Sequence, residues 1–295
     1  MTKNKTNIAI FVTLLAFVAF SISDGLRKFL SQDYAIIDIL FWQGVCGMGF
    51  VLLLMPFMGG RASLFNVTNI KWQLLRGILF ALNTTFSIQA VSRIPMMDAY
   101  TIFFLTPFVV SISAAILFKE AIGKYRAFSI ICGFIGALIA FRPGFAVLNS
   151  AYFYALSCVF LFSFASIIAR YIGRENGLLS FAFWPFLCLI FGILIYSGGQ
   201  IPPMHNIEFL AYMAVMGVAY GLALILISYG YTLAAVATVA PYQYIQIVFA
   251  LGIDYFLWSS VPDLPKIVGS IIIVGSGIFL FIREGMRKQG KGSAL

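Results

Sequence analysis

Residues 237–254, Ala237-Thr-Val-Ala-Pro-Tyr-Gln-Tyr-Ile-Gln-Ile-Val-Phe-Ala-Leu-Gly-Ile-Asp254, form an apolar run long enough to cross a bilayer. The run nevertheless carries Tyr242, Gln243, Tyr244 and Gln246 towards one end and Asp254 at the other. Lipid offers such groups no partner. An unpaired amide or phenol out of water costs roughly 2–7 kcal/mol, and a carboxylate at a helix centre roughly 2.5–3.5 kcal/mol on insertion scales. On a helix Gln243, Gln246 and Asp254 share one face, and Tyr242 lies one turn from Gln246. The rest of the chain must therefore supply a polar, protein-lined space for that face.

Composition sets the class. Of 295 residues 62% are hydrophobic and only 10% charged, against about 25% charged in soluble domains, and the mean hydropathy is +1.00. Apolar runs of about 20 residues match about 30 Å of hydrocarbon at 1.5 Å per residue, so a polytopic helical bundle is expected rather than a barrel of short alternating strands. The net charge of +9 does not signal nucleic acid, because the 19 basic residues are scattered at segment ends instead of forming a patch. Cys46, Cys132, Cys158 and Cys188 lie in apolar runs without metal-ligand spacing and read as small buried hydrophobes. No metal or cofactor is expected.

Ten spans follow: Ile8 to Leu30, Ile36 to Met58, Trp72 to Ser92, Pro95 to Phe118, Lys124 to Phe141, Tyr152 to Ile172, Leu179 to Ser197, Phe209 to Gly230, Thr238 to Trp258, and Pro265 to Ile282. The connections are too short for a catalytic domain. Span one has a competing reading as a cleavable secretory signal, with Lys3 and Lys5 ahead of an apolar run and Ser21-Ile22-Ser23 behind it. The repeat described next needs this helix. Of the Lys and Arg residues, all but Arg27, Lys28, Arg93, Arg142 and Lys266 fall on the side of the N-terminus. The positive-inside rule then places both termini in the cytoplasm. His205 falls in the outer loop and is expected to be solvated.

Sliding the chain on itself by 142 residues sets Lys28 on Arg170 and Trp42 on Trp184, while 140 sets Gly77 on Gly217. A shift of 139 sets Phe108-Val109 on Ile247-Val248 and Gly136 on Gly275. The reading is a duplication, with residues 1–142 as the first five-helix repeat, 150–285 as the second and 286–295 as a cytoplasmic tail. Five is odd, so the second copy enters the membrane from the opposite side. The expected architecture is an all-α membrane protein of two inverted five-helix repeats, with a substrate site between them.

Other intramembrane polar and breaking residues extend this picture. Pro107 and Pro241 each remove a backbone donor and mark either a hinge, a cavity wall or a plain kink. Asp24 and Lys28, one turn apart, either pair, bracket a ligand or snorkel to the interface together with Arg27. Asn83, Thr84, Thr85 and Gln89 cluster in span three, and Asn83 is expected to face the cavity. Asp98 and Tyr100 open span four, with Asp98 favoured by the helix dipole. Tyr220 and Tyr229 share a side of span eight, where they cap a cavity or join an aromatic belt. Gly133, Gly136, Ala137, Gly269, Gly275 and Gly277 read as packing positions.

Several of these elements together carry a resemblance: Asp24-x3-Lys28, Arg76-Gly77, Thr106-Pro107 followed by Lys119-Glu120, Gly133-x2-Gly136, and above all Ala240-Pro-Tyr-Gln-Tyr-Ile-Gln246 with Val261-Pro-Asp263. The chain resembles the drug/metabolite transporter superfamily, in its ten-helix EamA-like branch, over essentially its full length. It resembles the subgroup that includes bacterial transporters of riboflavin and of S-adenosylmethionine and, more distantly, it resembles the aromatic amino acid exporters. Two departures stand out. Relatives often carry Arg where this chain has Gln43 and an acidic residue where it has Ser259. The resemblance implies a central cavity lined by both halves and alternating access without ATP.

The expected function is secondary transport of a small organic metabolite of vitamin, nucleoside or amino-acid type, with export of amino acids or drugs as the alternative. The candidate substrate-binding residues are Asp24, Lys28, Gln43, Asn83, Tyr100, Tyr220, Tyr242, Gln243, Gln246 and Asp254. Lys28 would meet an anionic group, and Asp24 or Asp254 a cation or proton. The expected partners are the small-molecule substrate, the lipid bilayer and a coupled proton or cation, with no nucleic acid. An intramembrane enzyme is disfavoured by the lack of HExxH, GxSxG and P-loop motifs. A channel is disfavoured because the halves do not repeat Gln246, which aligns with Pro107.

Overall fold

The computed structural model describes residues 3–117, 124–141, 150–172, 176–234, 239–259 and 263–292, and all its regular structure among them is helical. The long helices are α1 (Lys3–Leu30), α2 (Ile36–Leu54), α4 (Ile70–Val91), α7 (Lys124–Phe141), α8 (Ser150–Ile172), α9 (Ser180–Tyr196) and α10 (Ile207–Leu233), with a short α3 (Ala62–Phe65) after α2. Asn69 caps α4 by accepting from Lys71 N and Trp72 N, and Asn206 caps α10 by accepting from Phe209 N at 2.7 Å. Among the described residues five segments are long and apolar enough to cross a bilayer: Asn7–Leu30, Ile36–Phe57, Ile70–Val91, Ser150–Ile172 and Ile207–Leu233. The other spans are shorter or interrupted.

Two interruptions correct the expectation of continuous spans. Span four divides into α5 (Met96–Phe103) and α6 (Thr106–Leu117), with Phe104 and Leu105 between them. Pro107 thus sits at the second position of a new helix, where its missing donor costs little. Span nine begins as a 3-10 turn at Ala240–Ile245 and becomes α-helical only as α11 (Gln246–Trp258), ahead of α12 (Leu264–Gly292). Moved by the 139-residue repeat shift, the start of α6 falls within one residue of the start of α11. The two breaks occupy equivalent places. Span two also ends its α-helix early, at Leu54, and finishes as a 3-10 turn containing Pro56.

Packing follows the duplication. α1 lies along α10 and α8 along α4; α2 lies against α10 and α9 against α4; α12 pairs with α7, and α2 with α9. Exchanging the two repeats turns each contact into another on this roster or into itself. The repeats hold each other rather than standing apart. Because each contains five spans, the exchange also reverses direction through the membrane, as an inverted repeat requires.

Glycine makes the closest approaches. A Cβ on Gly217 of α10 would stand 2.5 Å from Gly47 N and 2.9 Å from the Gln43 carbonyl oxygen of α2. A Cβ on its repeat mate Gly77 of α4 would stand 3.0 Å from the Trp184 carbonyl oxygen of α9. Gly136 is pressed against α12, where the Gly269 carbonyl oxygen would lie 2.8 Å from a Cβ, but Gly275 faces open space and has no such packing role. The Gly59-Gly60 and Gly198-Gly199 pairs end equivalent helices with φ of 93° and 64°, and 66° and 87°. Gly60 N donates to Met55 O at 2.8 Å and Gly199 N to Leu194 O at 2.7 Å, the same terminal closure twice.

Gly217→Ala is expected to destabilise the detergent-solubilised protein by about 1–3 kcal/mol through overpacking. Gly192→Ala, with nothing within 4 Å of the new methyl group, should stay within about 0.5 kcal/mol of the unaltered chain. Thermal melting of both variants measures the difference.

Candidate functional site

The interlocked halves meet on four aromatic rings. Phe20 and Phe162, related by the 142-residue shift, pack edge to face with centroids 6.1 Å apart. Phe20 packs on Tyr220 at 5.4 Å, and its repeat mate Phe162 packs on Phe80 at 5.7 Å, Phe80 being the mate of Tyr220. An arginine lies against each end of the quartet. The Arg27 guanidinium carbon is 4.5 Å from the Tyr220 ring centroid and that of Arg76 is 4.8 Å from Phe80.

The two arginines differ in surroundings. Arg76, fully buried, donates to Phe181 O at 2.9 Å and Ser228 Oγ at 2.7 Å, and so ties α4 to α9 and α10. Arg27 lies beside the central cavity. Its Nη1 donates to Asp24 Oδ1 at 2.6 Å and its Nε to Gln43 Oε1 at 3.2 Å, while Nη2 is buried with no hydrogen-bond partner among the described residues. Asp24 accepts in addition from Ser87 Oγ at 3.2 Å and Tyr100 OH at 3.1 Å. Both members are buried, and such a pair persists only when further hydrogen bonds hold its geometry.

The cavity encloses about 450 Å³ of non-atom space, part of it open to solvent. Phe17, Phe20, Asp24, Arg27, Asn83, Ser87, Phe103, Thr106, Cys158, Phe162, Tyr220, Gln243 and Gln246 line it, so both repeats contribute. The helix breaks supply part of the wall. Gln243 Nε2 donates to Phe103 O at 3.2 Å, satisfying a carbonyl at the end of α5 from the matching break in the other repeat.

Of the residues singled out in the sequence, Asp24, Asn83, Tyr220, Gln243 and Gln246 line this cavity. Gln43 and Tyr100 lie behind it and hold Arg27 and Asp24 in place. Tyr242 is half-buried and is not part of the lining. Lys28 and Asp254 depart furthest from the expectation. Lys28 Nζ meets Asp254 Oδ1 at 2.7 Å and lies 4.4 Å from the Trp258 ring centroid. Asp254 also accepts from Met96 N at 3.2 Å and Met97 N at 2.9 Å, capping α5 across the repeat boundary. A carboxylate at a helix N-terminus beside an ammonium has its demands met, so neither charge turns to the cavity. Together they lock α1, α5 and α11 on the membrane face opposite the termini.

The acidic half of the lock is not repeated in the sequence. The repeat mate of Asp254 is Ala115. On the same face, among the described residues, Lys266 Nζ pairs with Asp98 Oδ1 at 2.7 Å and His205 Nε2 is in hydrogen-bond contact with Asp38 Oδ2 at 2.8 Å. His205 is therefore partnered rather than merely solvated, and it packs on Tyr34 and Phe209. Arg27 is the cavity residue that sequence reading did not single out, naming it only beside Asp24 and Lys28 with snorkelling as one alternative. Its i, i+3 spacing from Asp24 was the available signal, and which face of α1 turned inward was not visible. Lys119, Glu120, Arg142 and Val261 lie outside the described residues, as do Ala237 and Thr238.

A buried charge pair between two inverted, mutually packed repeats with broken helices is the arrangement of a membrane carrier. The sequence profile of the EamA-like transporter family matches residues 7–142 and again 149–283, and the chain belongs to that family. It is 27% identical over 276 residues to the pseudopaline exporter of Pseudomonas aeruginosa, covering 92% of this chain and 95% of that one. It is 24% identical over 272 residues to the S-adenosylmethionine uptake transporter of Rickettsia felis, covering 92% and 91%. A solved crystal structure superposes with a TM-score of 0.68 at 15% identity, covering 96% of this chain and 98% of the other, which shows the shared fold. The protein is a multi-pass membrane transporter of small metabolites.

Substituting Lys28→Ala and Asp254→Ala singly and together should give a coupling energy of roughly 0.5–3 kcal/mol in thermal melting. Additive losses would show that the two charges do not act on each other.

Proposed function

We propose that the protein is a secondary carrier of a small organic metabolite of the bacterial inner membrane, working by alternating access around the Asp24–Arg27 cavity. The observation that carries this reading is a cavity walled by both repeats beneath a charged closure. Lys28 and Asp254 join α1, α5 and α11 on the face opposite the termini, and the repeats that would rock against each other share the cavity wall. In this reading residues 1–142 and 150–285 are the moving repeats and 286–295 a cytoplasmic tail. Both termini lie in the cytoplasm, as the distribution of Lys and Arg favours. The Lys28–Asp254 lock is then the periplasmic gate in its shut position.

Ligand contacts fall to Asp24, Arg27, Asn83, Tyr220, Gln243 and Gln246, with the rings of Phe20 and Phe162 for an apolar or planar part. Vitamin, nucleoside and amino-acid types all fit an amphipathic wall of this composition, and the printed functions of the relatives, S-adenosylmethionine uptake and pseudopaline export, lie within that range. The alternative within the same fold is an exporter of amino acids or drugs. A coupled proton or cation would act at Asp24, the carboxylate in the lining.

Proteoliposomes loaded with a panel of metabolites should show counterflow, in which unlabelled solute inside accelerates uptake of the labelled one. Gln246→Ala should weaken half-saturation by roughly tenfold, about the worth of one buried polar contact. Uptake without acceleration from the far side would indicate a channel.

A further inference from the structure

We propose that Tyr100 is a positioning residue of the carrier cycle: its hydroxyl on Asp24 ties the Lys28–Asp254 lock to the cavity, so that a ligand donor taken up by Asp24 loosens α5. The proposal rests on the carrier reading and names the residue that couples its cavity to its gate.

The eight-residue helix α5 is held at three levels. At its start Asp254 accepts from Met96 N at 3.2 Å and Met97 N at 2.9 Å, and Asp98 Oδ1 meets Lys266 Nζ at 2.7 Å. One turn deeper Tyr100 OH donates to Asp24 Oδ2 at 3.1 Å. At its end Phe103 O accepts from Gln243 Nε2 at 3.2 Å, because Pro107, four residues on, has no donor for it. One end of α5 is thus anchored at a helix break and the other is held by charges. The helix is a lever about 12 Å long at 1.5 Å per residue, with Tyr100 between fulcrum and lock.

α1 presents the partners at the same spacing. Asp24 and Lys28 are one turn apart, and so are Met96 and Tyr100. An inner rung, Asp24 to Tyr100, and an outer rung, Lys28 through Asp254 to the first amides of α5, therefore join the two helices. The Tyr100 ring packs on Phe103 at 5.6 Å and Phe104 at 6.4 Å, so it moves with α5. Lifting the outer rung draws the hydroxyl off Asp24, and weakening the inner rung removes a restraint that keeps the outer one in register.

The two oxygens of Asp24 are engaged differently. Oδ1 accepts from Arg27 Nη1 at 2.6 Å and Ser87 Oγ at 3.2 Å, donors on α1 and α4, whereas Oδ2 accepts from Tyr100. A donor arriving from the cavity finds its lone pair on Oδ2 and shares that oxygen with Tyr100. Hydrogen bonds to an ionised acceptor are roughly twice as strong as neutral ones, so a ligand that draws on the carboxylate charge weakens the inner rung. Linkage makes the effect reciprocal: release of α5 strengthens ligation at Asp24.

Cys158 provides the readout, since it lines the cavity and is 4% exposed. Its labelling by a membrane-impermeant maleimide, followed by peptide mass spectrometry in membrane vesicles of both orientations, reads opening at each face separately. Asp254→Ala removes the outer rung and should raise the labelling rate from the face opposite the termini at least tenfold. Tyr100→Phe keeps the ring and its packing and should raise that rate on the order of tenfold, the worth of one charge-assisted hydrogen bond. In an Asp24→Asn background, where the acceptor is neutral, the same substitution should change it at most about threefold. Thr101→Val removes a hydroxyl of α5 that bonds Met97 O instead, and should leave the rate unchanged. Should Asp24→Asn fail to fold, the comparison of Tyr100→Phe with Thr101→Val decides alone. Equal rates in those two variants, or the full Tyr100→Phe effect in the Asp24→Asn background, overturn the coupling and leave the carrier standing as long as Asp254→Ala exposes Cys158. Protection of Cys158 in Asp254→Ala as complete as in the unaltered chain overturns the gate, and the coupling with it.

Discussion

The carbonyl of Phe103 ends a helix within the thickness of the membrane, and the Gln243 amide meets it at 3.2 Å. Hydrocarbon cannot solvate a peptide group, so a chain that breaks a spanning helix must furnish the missing hydrogen bond from elsewhere in the fold. Here the donor comes from the equivalent break in the second repeat. The interruption of span four therefore needs the second repeat in place, and Phe103 and Gln243 both line the cavity. The breaks at Pro107 and Pro241, which would be faults in two isolated bundles, become the seam between the halves.

The same mutual dependence runs through the packing. Gly217 lets α10 touch the backbone of α2, and Gly77 lets α4 touch that of α9, so one close approach is made twice by a duplicated glycine. Phe20 and Phe162 repeat this at the centre, each packing on the other and then on Tyr220 or Phe80. A scaffold built in this way has two nearly equivalent ends. Function enters where the equivalence fails. Asp24 and Arg27 have Ser166 and Ala169 as repeat mates, and Asp254 has Ala115, so these three charges are not repeated in the sequence.

Much of the architecture was legible in the residues. Hydropathy located the spans because bilayer thickness dictates their length, and the odd number of spans per repeat dictated the inversion. The amides of Gln243 and Gln246 announced a cavity because lipid could not have received them, and both line it. The breaks were harder to read, since proline alone marks a kink, a hinge or a new helix start, and only the positions of neighbouring carbonyls distinguish these. Asp24 was found, but Lys28 was preferred to Arg27 as the cation beside it. On α1 the two basic residues are adjacent and therefore point about 100° apart. Nothing local to the helix says which direction is inward.

The sequence by itself determined the membrane class, the ten spans, the duplication and the need for a polar interior, because each follows from solvation of groups along one chain. Tertiary structure decided which charges face the cavity and which pair away from it. Lys28 lies near Asp254 only because α11 packs beside α1, and Arg27 meets Gln43 and Tyr220 only because α2 and α10 converge on it. Partners so distant along the chain are chosen by packing, and packing is a property of the whole bundle.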